Sequence, residues 1–357
     1  MRMMKSFSAA LALALSMYIF TYSPLYAYMQ RASARRIEEG RMRNVTVTLP
    51  QGTPAMPAAA PTPVAQTVSG AATTAAQYAP DSGVSENKLS AVISTQDADG
   101  EPRIIETTID GGLAIKNQTG YKADIGQLII NGPGVTLPAG QPQILIIHTH
   151  SSEAYMPAGL DKYEPSDDSR TEDTQYNIVR VGDELCAVLE EAGLIVLHDR
   201  GIYDYPSYTG SYTRSGQAIE SWLAEYPSIQ IVIDVHRDAL GESGIVYKTM
   251  AEESGVCASQ VMLLIGTDES GLSHGAWRQN LALAVYLQQA VSGAHPTLMR
   301  PVQLVPQRYN QHLSPGSMIL EVGSSGNTLQ EALAAARLFA SSAAPALLAL
   351  VEDAQAE

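Results

Sequence analysis

The run Ile144-Leu145-Ile146-Ile147 leads without a break into His148-Thr149-His150-Ser151-Ser152-Glu153, and this junction limits what the chain can become more than any other stretch. Consecutive large apolar residues, mostly β-branched, fit a strand buried on both faces. Two histidines and a glutamate directly after it are the side chains that bind transition metals. Alternation along an extended chain puts His148 and His150 on one side, while Glu153 lies about a turn further on and can fold back towards them. A site of this kind needs donors from elsewhere, because His-x-His alone also serves as an ordinary hydrogen-bonded strand end.

Downstream of Ile144, strand-like and helix-like apolar patterns alternate. Strands are predicted at Leu194–Leu197, Ile229–Val235, Val261–Ile265 and Met318–Val322. Between them, Ile178, Val181, Leu185, Val188 and Leu189 recur at helical spacing and stop at Gly193, which suits a C-terminal cap. A second helix is predicted from about Trp277 through Leu281, Val285 and Leu287, and a last one after Thr328, whose partner Glu331 completes a capping box. The pattern predicts an α/β fold with a mostly parallel sheet flanked by helices. Upstream, Leu113, Ile115, Ile125, Leu128, Ile129 and Ile130, with turns at Asn117-Gln118-Thr119-Gly120 and Gly132-Pro133-Gly134, predict a small strand-containing collar.

In open α/β sheets, sites gather at the carboxyl ends of strands. Besides His148 and His150, the Ile229–Val235 strand runs into His236-Arg237-Asp238, and the last strand carries Glu321. Two or three His/Glu donors with one position left open is the pattern of catalytic zinc. The candidate ligands are therefore His148, His150, Glu153 and His236, with a further carboxylate near the metal as general base. Arg237 or Asp238 would orient a ligand histidine or hold substrate. Asp234 can equally be structural, His198 is a runner-up ligand, and His274, His295 and His312 read as surface histidines.

The N-terminal third has another character. Residues 1–30 contain an uncharged, largely apolar stretch long enough to cross a bilayer core of about 30 Å, so they read as a membrane anchor or a secretory signal, with the anchor preferred. Residues 31–110 are rich in Ala, Pro and Thr and read as a flexible tether. Residues 111–357 hold the catalytic domain. Arg31, Arg35, Arg36, Arg41 and Arg43 follow the apolar stretch, and a literal charge count would keep the C-terminal part in the cytoplasm. A formal charge of -15 disfavours a nucleic-acid partner, since phosphate neutralisation needs clustered Lys and Arg. Two cysteines, Cys186 and Cys257, are too few for a disulfide framework and are expected as two buried thiols.

From about Gly111 onward the chain resembles the stage II sporulation protein P family, of the wider zinc-dependent N-acetylmuramoyl-L-alanine amidase type. The resemblance rests on Leu145 to Tyr155, on Ile233-Asp234-Val235-His236-Arg237-Asp238-Ala239, on Arg308-Tyr309-Asn310-Gln311, and on Leu320-Glu321-Val322-Gly323 followed by Asn327-Thr328. It implies a zinc hydrolase that cuts the amide between muramic acid and the peptide stem of peptidoglycan, with peptide cross-bridge cleavage beside it, during forespore engulfment. It also implies a single-pass anchor, an outward-facing enzyme domain, and cooperation with the glycan-cleaving stage II sporulation protein D. Carried over by position, His148 or His150 supplies the first ligand, His236 another, and Glu321 the catalytic glutamate. Glu153 takes the middle-ligand place, which the wider amidase type fills from a later helix start. Tyr309 and Asn310 are carried over as substrate-side residues, with Arg237 and Asp238. Two other functions fit the same residues: a peptidoglycan-binding linker between membrane and wall that does not cut, and a metallopeptidase acting on stem peptides.

Overall fold

The computed structural model describes residues 91–96, 102–110, 113–166, 169–242, 245–253 and 255–352. The apolar stretch within residues 1–30 and most of the 31–110 segment lie outside them. Among the described residues no helix is long and apolar enough to cross a membrane.

The strands that build the main sheet are β1 (Ala91–Gln96), β2 (Pro102–Asp110), β3 (Leu113–Asn117), β4 (Ile144–Ile147), β5 (Val196–His198), β6 (Ile231–Asp238), β7 (Val261–Gly266), β8 (Val302–Val305) and β9 (Met318–Ser324). Their order across the sheet is β1-β2-β3-β8-β7-β9-β6-β4-β5. Neighbours are parallel within β3-β8-β7 and within β9-β6-β4-β5, but β7 and β9 are antiparallel. Two parallel blocks therefore run in opposite directions, and only the second has its carboxyl ends at the edge carrying His148, His236 and Glu321. The Val261–Ile265 strand offers no chemistry there because it enters the sheet from that edge.

Among the described residues five α-helices accompany the sheet: α1 (Ile125–Asn131), α2 (Ile178–Glu191), α3 (Ser211–Glu225), α4 (Trp277–Ala294) and α5 (Leu329–Leu348). Ile115, Ile146, Ile233, Leu263, Leu304 and Leu320 point to one face and form a single core with Val181 and Leu185 of α2, Leu283 of α4 and Ala336 and Phe339 of α5. On the other face α3 lays Ile219 against Leu145, Ile147 and Val232. A strand buried on both faces has to be apolar throughout, which is why β4 reads as an unbroken apolar run. Thr328 and Glu331 make the predicted capping box of α5, and Gly193 follows α2 at φ +105°.

Some elements depart from the sequence expectation. Residues 125–131 are helical, and Leu113–Asn117 joins the main sheet rather than a separate collar. Strands β1 and β2 fall inside the segment read as tether. Cys186 is buried, whereas Cys257 is exposed, and both are free thiols. His274 is also buried, 1% exposed, rather than on the surface.

Candidate metal centre

Strand β4 stops at Ile147 because Thr149 is captured from the side. Its backbone N–H donates to Asp234 Oδ1 at 2.8 Å and its hydroxyl to Asp234 Oδ2 at 2.6 Å. The chain turns, alternation ends, and His148 and His150 point to different places. His148 is fully buried with Nδ1 3.0 Å from the Val235 carbonyl and Nε2 2.8 Å from His198 Nε2. His150 instead puts Nδ1 3.4 Å from Glu153 Oε1. The expectation that both histidines share one side, with both as candidate ligands, gives way here: His148 is taken up by its own partners.

Glu153 reaches the same place through a turn closed by its N–H on the His150 carbonyl at 3.0 Å. Its other oxygen, Oε2, lies 3.4 Å from His236 Nδ1. His150, Glu153 and His236 thus offer one donor atom each within 4.8 Å of one another, all three buried. Donors bonded to one zinc at about 2.0–2.1 Å and tetrahedral angles stand about 3.3–3.4 Å apart. His150 and His236 each stand about one such edge, 3.4 Å, from a different oxygen of Glu153, and both separations are too long for good hydrogen bonds. The donor set of two imidazoles and a carboxylate is also one that zinc takes, so the residues fit the ion.

The electrostatics point the same way. Burial works to raise the Glu153 carboxyl, but contacts from His150 and His236 and the charges of His236 and Arg237 hold it well below the usual carboxylate range. Burial likewise opposes ionisation of Asp234, and the His236 charge with the two Thr149 donors overcomes it. His236 is drawn well above its ordinary value, against burial, by Asp234 and Glu153. Two carboxylates that stay ionised inside the protein make this a place for positive charge. Asp234 Oδ1 is 3.0 Å from His236 Nε2, an off-axis contact rather than a straight hydrogen bond. It gives a ligand histidine the oxygen neighbour that usually orients it.

Glu321 is the direct strand neighbour of His236 across β9 and β6. Its Oε2 is buried without a hydrogen-bond partner, as is His150 Nε2. Burial, reinforced by the charges of Asp238 and Glu153, pushes Glu321 up to about 8 against the pull of His236 and Arg300. A carboxyl poised near neutral pH beside a metal-type cluster can both take and return a proton.

The remaining candidates divide. Arg237 is 6% exposed and spends its guanidinium on the Ala154 and Ser169 carbonyls at 3.0 and 3.1 Å, while its backbone N–H donates to Glu153 Oε2 at 3.1 Å. Asn310 donates to the Tyr212 carbonyl and Ser215 Oγ, tying its loop to α3. Both side chains are thus engaged within the protein. Asp238 pairs with Arg300 at 2.7 Å. Tyr309, at φ +51°, lies 5.4 Å from Tyr212 ring to ring and is close enough to Glu321 to feel its charge.

Sequence reasoning missed four neighbours. Arg170 approaches Glu153 Oε1 at 3.6 Å, binds Asp204 at 2.5 Å, and stacks over Tyr208 at 5.0 Å. Tyr208 in turn stacks on His150 at 4.6 Å, and Tyr212 meets the same ring edge-on at 5.4 Å. The dense tyrosines at 203, 205, 208 and 212 were the available signal; Arg170 and Asp204 carried none.

Comparison with known proteins gives the context of this geometry. The chain is 26% identical to the Stage II sporulation protein P of Bacillus subtilis (strain 168) over 203 residues. That alignment takes in 53% of this chain and 47% of the relative, so the chain spans about half the length of the curated relative it matches. Among solved structures it is similar to the N-acetylmuramoyl-L-alanine amidase AmiC2 of Nostoc punctiforme, with 13% identity, a TM-score of 0.34, and 59% and 98% of the two chains covered. It is also similar to the N-acetylmuramoyl-L-alanine amidase from Clostridium difficile 630, with 14% identity, a TM-score of 0.36, and 59% and 97% covered. Residues 61–344 match the sequence profile of Stage II sporulation protein P, and the chain belongs to that family.

Proposed function

We propose that the protein is a zinc-dependent peptidoglycan hydrolase that cuts the amide between N-acetylmuramic acid and the L-alanine of the stem peptide during sporulation. The observation that carries this reading is the convergence of His150, Glu153 and His236 at zinc-like donor spacing beside Glu321. His150, Glu153 and His236 would hold the ion, which supplies Lewis acidity to the scissile carbonyl and acidifies a water molecule. Glu321 takes the proton of the attacking water at Oε2 and hands it to the amide nitrogen as the C–N bond breaks, leaving a lactyl carboxylate and a free L-alanyl amine. Asp234 fixes the orientation of His236, and Arg170 and Arg237 hold the Glu153 carboxylate from its two sides. Tyr208 and Tyr212 wall the His150 ring against water.

The same reading places the domain outside the cytoplasm, anchored through residues 1–30, beside a glycan-cleaving partner of the stage II sporulation protein D type. An amidase in the cytoplasm would not meet its polymer. The test is to incubate the protein with purified peptidoglycan, with and without added zinc, and to identify the released fragments by mass spectrometry. Zinc-dependent release of intact stem peptides is expected. Shortened peptides would replace the amidase with a metallopeptidase, and wall binding without release would make the protein a linker.

A further inference from the structure

Beyond Glu321 the sheet face continues across β7 and β8 to β3, and its polar residues form a line. Leu113 and Ile115 of β3 enter the core, so Lys116 alternates to the opposite face. Lys116 is the register partner of Gln303, and Gln303 donates its amide to Met262 Sδ at 3.1 Å. Met262 is itself the register partner of Glu321. Gln118 donates to Gln303 Oε1 at 2.9 Å and closes the row. Three strand spacings of about 4.8 Å, with a two-residue offset from Met262 to Leu264, the register partner of Gln303, separate the Glu321 and Lys116 backbones, and a lysine side chain covers less than half of that gap.

Arg300 reaches into the same row. It crosses from the start of β8 to Asp238 at 2.7 Å, with both side chains about four-fifths buried. Lys116 therefore stands beside a second cation whose own counter-ion is already engaged. Among the described residues Lys116 has no ion-pair or hydrogen-bond partner. Burial lowers its pKa first and the Arg300 charge adds to that, while Asp238 pulls the other way. In a chain with a formal charge of -15, two partly buried cations share one carboxylate among the described residues, three strands from the candidate catalytic glutamate. Such an arrangement is costly unless an anion joins it.

We propose that Lys116, supported by Arg300 and Gln303, forms a subsite for a free carboxylate on the peptide side of the substrate. The substrate is thereby oriented with its anionic stem peptide over β7, β8 and β3 and its other end over the tyrosines beside His150. The proposal rests on the hydrolase reading for the identity of the peptide, but not for the existence of the anion site.

The experiment uses isothermal titration of the zinc-loaded full chain with two probes. One is the tripeptide L-alanyl-γ-D-glutamyl-L-lysine, and the other is the same peptide with its glutamyl α-carboxylate amidated. The free acid is expected to bind about tenfold tighter, the scale of one charge-assisted contact. Lys116→Met should erase that preference and Lys116→Arg should retain it, with thermal melting of both variants checking the fold. On peptidoglycan, Lys116→Met should raise KM about tenfold and leave kcat in place. Equal binding of the two probes by the wild type, or a preference that survives Lys116→Met, overturns the subsite. A protein that prefers the free acid yet never cuts peptidoglycan keeps the subsite and removes the hydrolase; one that cuts without preference does the reverse.

Discussion

His148 and His150 sit two residues apart at the end of one strand, and the fold puts them to opposite uses. His150 and His236 turn ring nitrogens to a shared carboxylate, each 3.4 Å away. His148 and His198 turn ring nitrogens to each other, 2.8 Å apart, against Gly182 of α2. In the first pair both rings face Glu153, Asp234 stands beside His236, and His236 is drawn well above its ordinary value. The second is stripped of positive charge: burial, then the neighbouring His198, push His148 down to about 3, and burial pushes His198 down to about 4. A carbonyl can only accept, so the Val235 contact fixes the His148 proton on Nδ1 and leaves its Nε2 to accept from His198. Residue type is thus the same in both pairs: at His236 the carboxylates Asp234 and Glu153 overcome burial, whereas at His148 and His198 burial prevails even with Asp183 3.2 Å from His198 Nδ1.

The contrast is broken most directly by removing the first pair. Both His150→Ala and His236→Ala are expected to lose bound zinc and measurable turnover while circular dichroism stays that of the wild type. Wild-type zinc content in either variant would take that histidine out of the site. Glu321→Gln comes next: zinc is retained and turnover on peptidoglycan falls by roughly two to four orders of magnitude, the scale of lost general acid–base catalysis. Near-normal turnover would leave Glu321 without a part in proton transfer.

How far the sequence foretells this arrangement depends on the range of the forces involved. The apolar run into His148, the strand leading into His236, the Glu321 position and the Thr328–Glu331 capping box are local signals, and each appears in its expected element, with the His236 strand extending on to Asp238. The divergence of His148 and His150 was not legible, because the Thr149–Asp234 bonds that end the strand join residues 85 positions apart. Helix α3 escaped because it starts after Gly210 at φ +84° with no side-chain cap, and carries Gly216 where a Cβ would stand 3.0 Å from Asn310 Oδ1. The reversal between β7 and β9 leaves no mark in either strand's residues, since a strand buried on both faces looks alike in either direction.

A subtler change sharpens the comparison from the second pair. A Cβ on residue 182 would fall 2.4 Å from His148 Nε2 and 2.5 Å from His198 Nε2. Gly182→Ala must push the pair apart, and overpacking of this kind costs about 1–3 kcal/mol. The expected result is a lower denaturation midpoint with zinc content intact. Loss of zinc together with stability would mean that the two pairs are one mechanical unit and the contrast between them is only electrostatic.

The smallest expected effect is on the acid limb of stability. For His148 and His198 the folded values, about 3 and about 4, lie below the ordinary 6.5, so between these limits the unfolded chain binds more protons than the folded one. Their contribution is therefore complete above pH 6.5 and is lost progressively as pH falls towards 4 and then 3. Asp183, 3.2 Å from His198 Nδ1, favours a proton there, so His198 yields before His148. Glu153 and Asp234 also lose stability in acid, and the pair has to be isolated by difference. His198→Gln can still donate to His148 Nε2 but cannot titrate, so the slope of unfolding free energy against pH between about 6.5 and 4 should be shallower in the variant than in the wild type. Parallel slopes would assign the acid sensitivity to the carboxylates of the metal-type cluster and leave the buried histidine pair a packing feature alone.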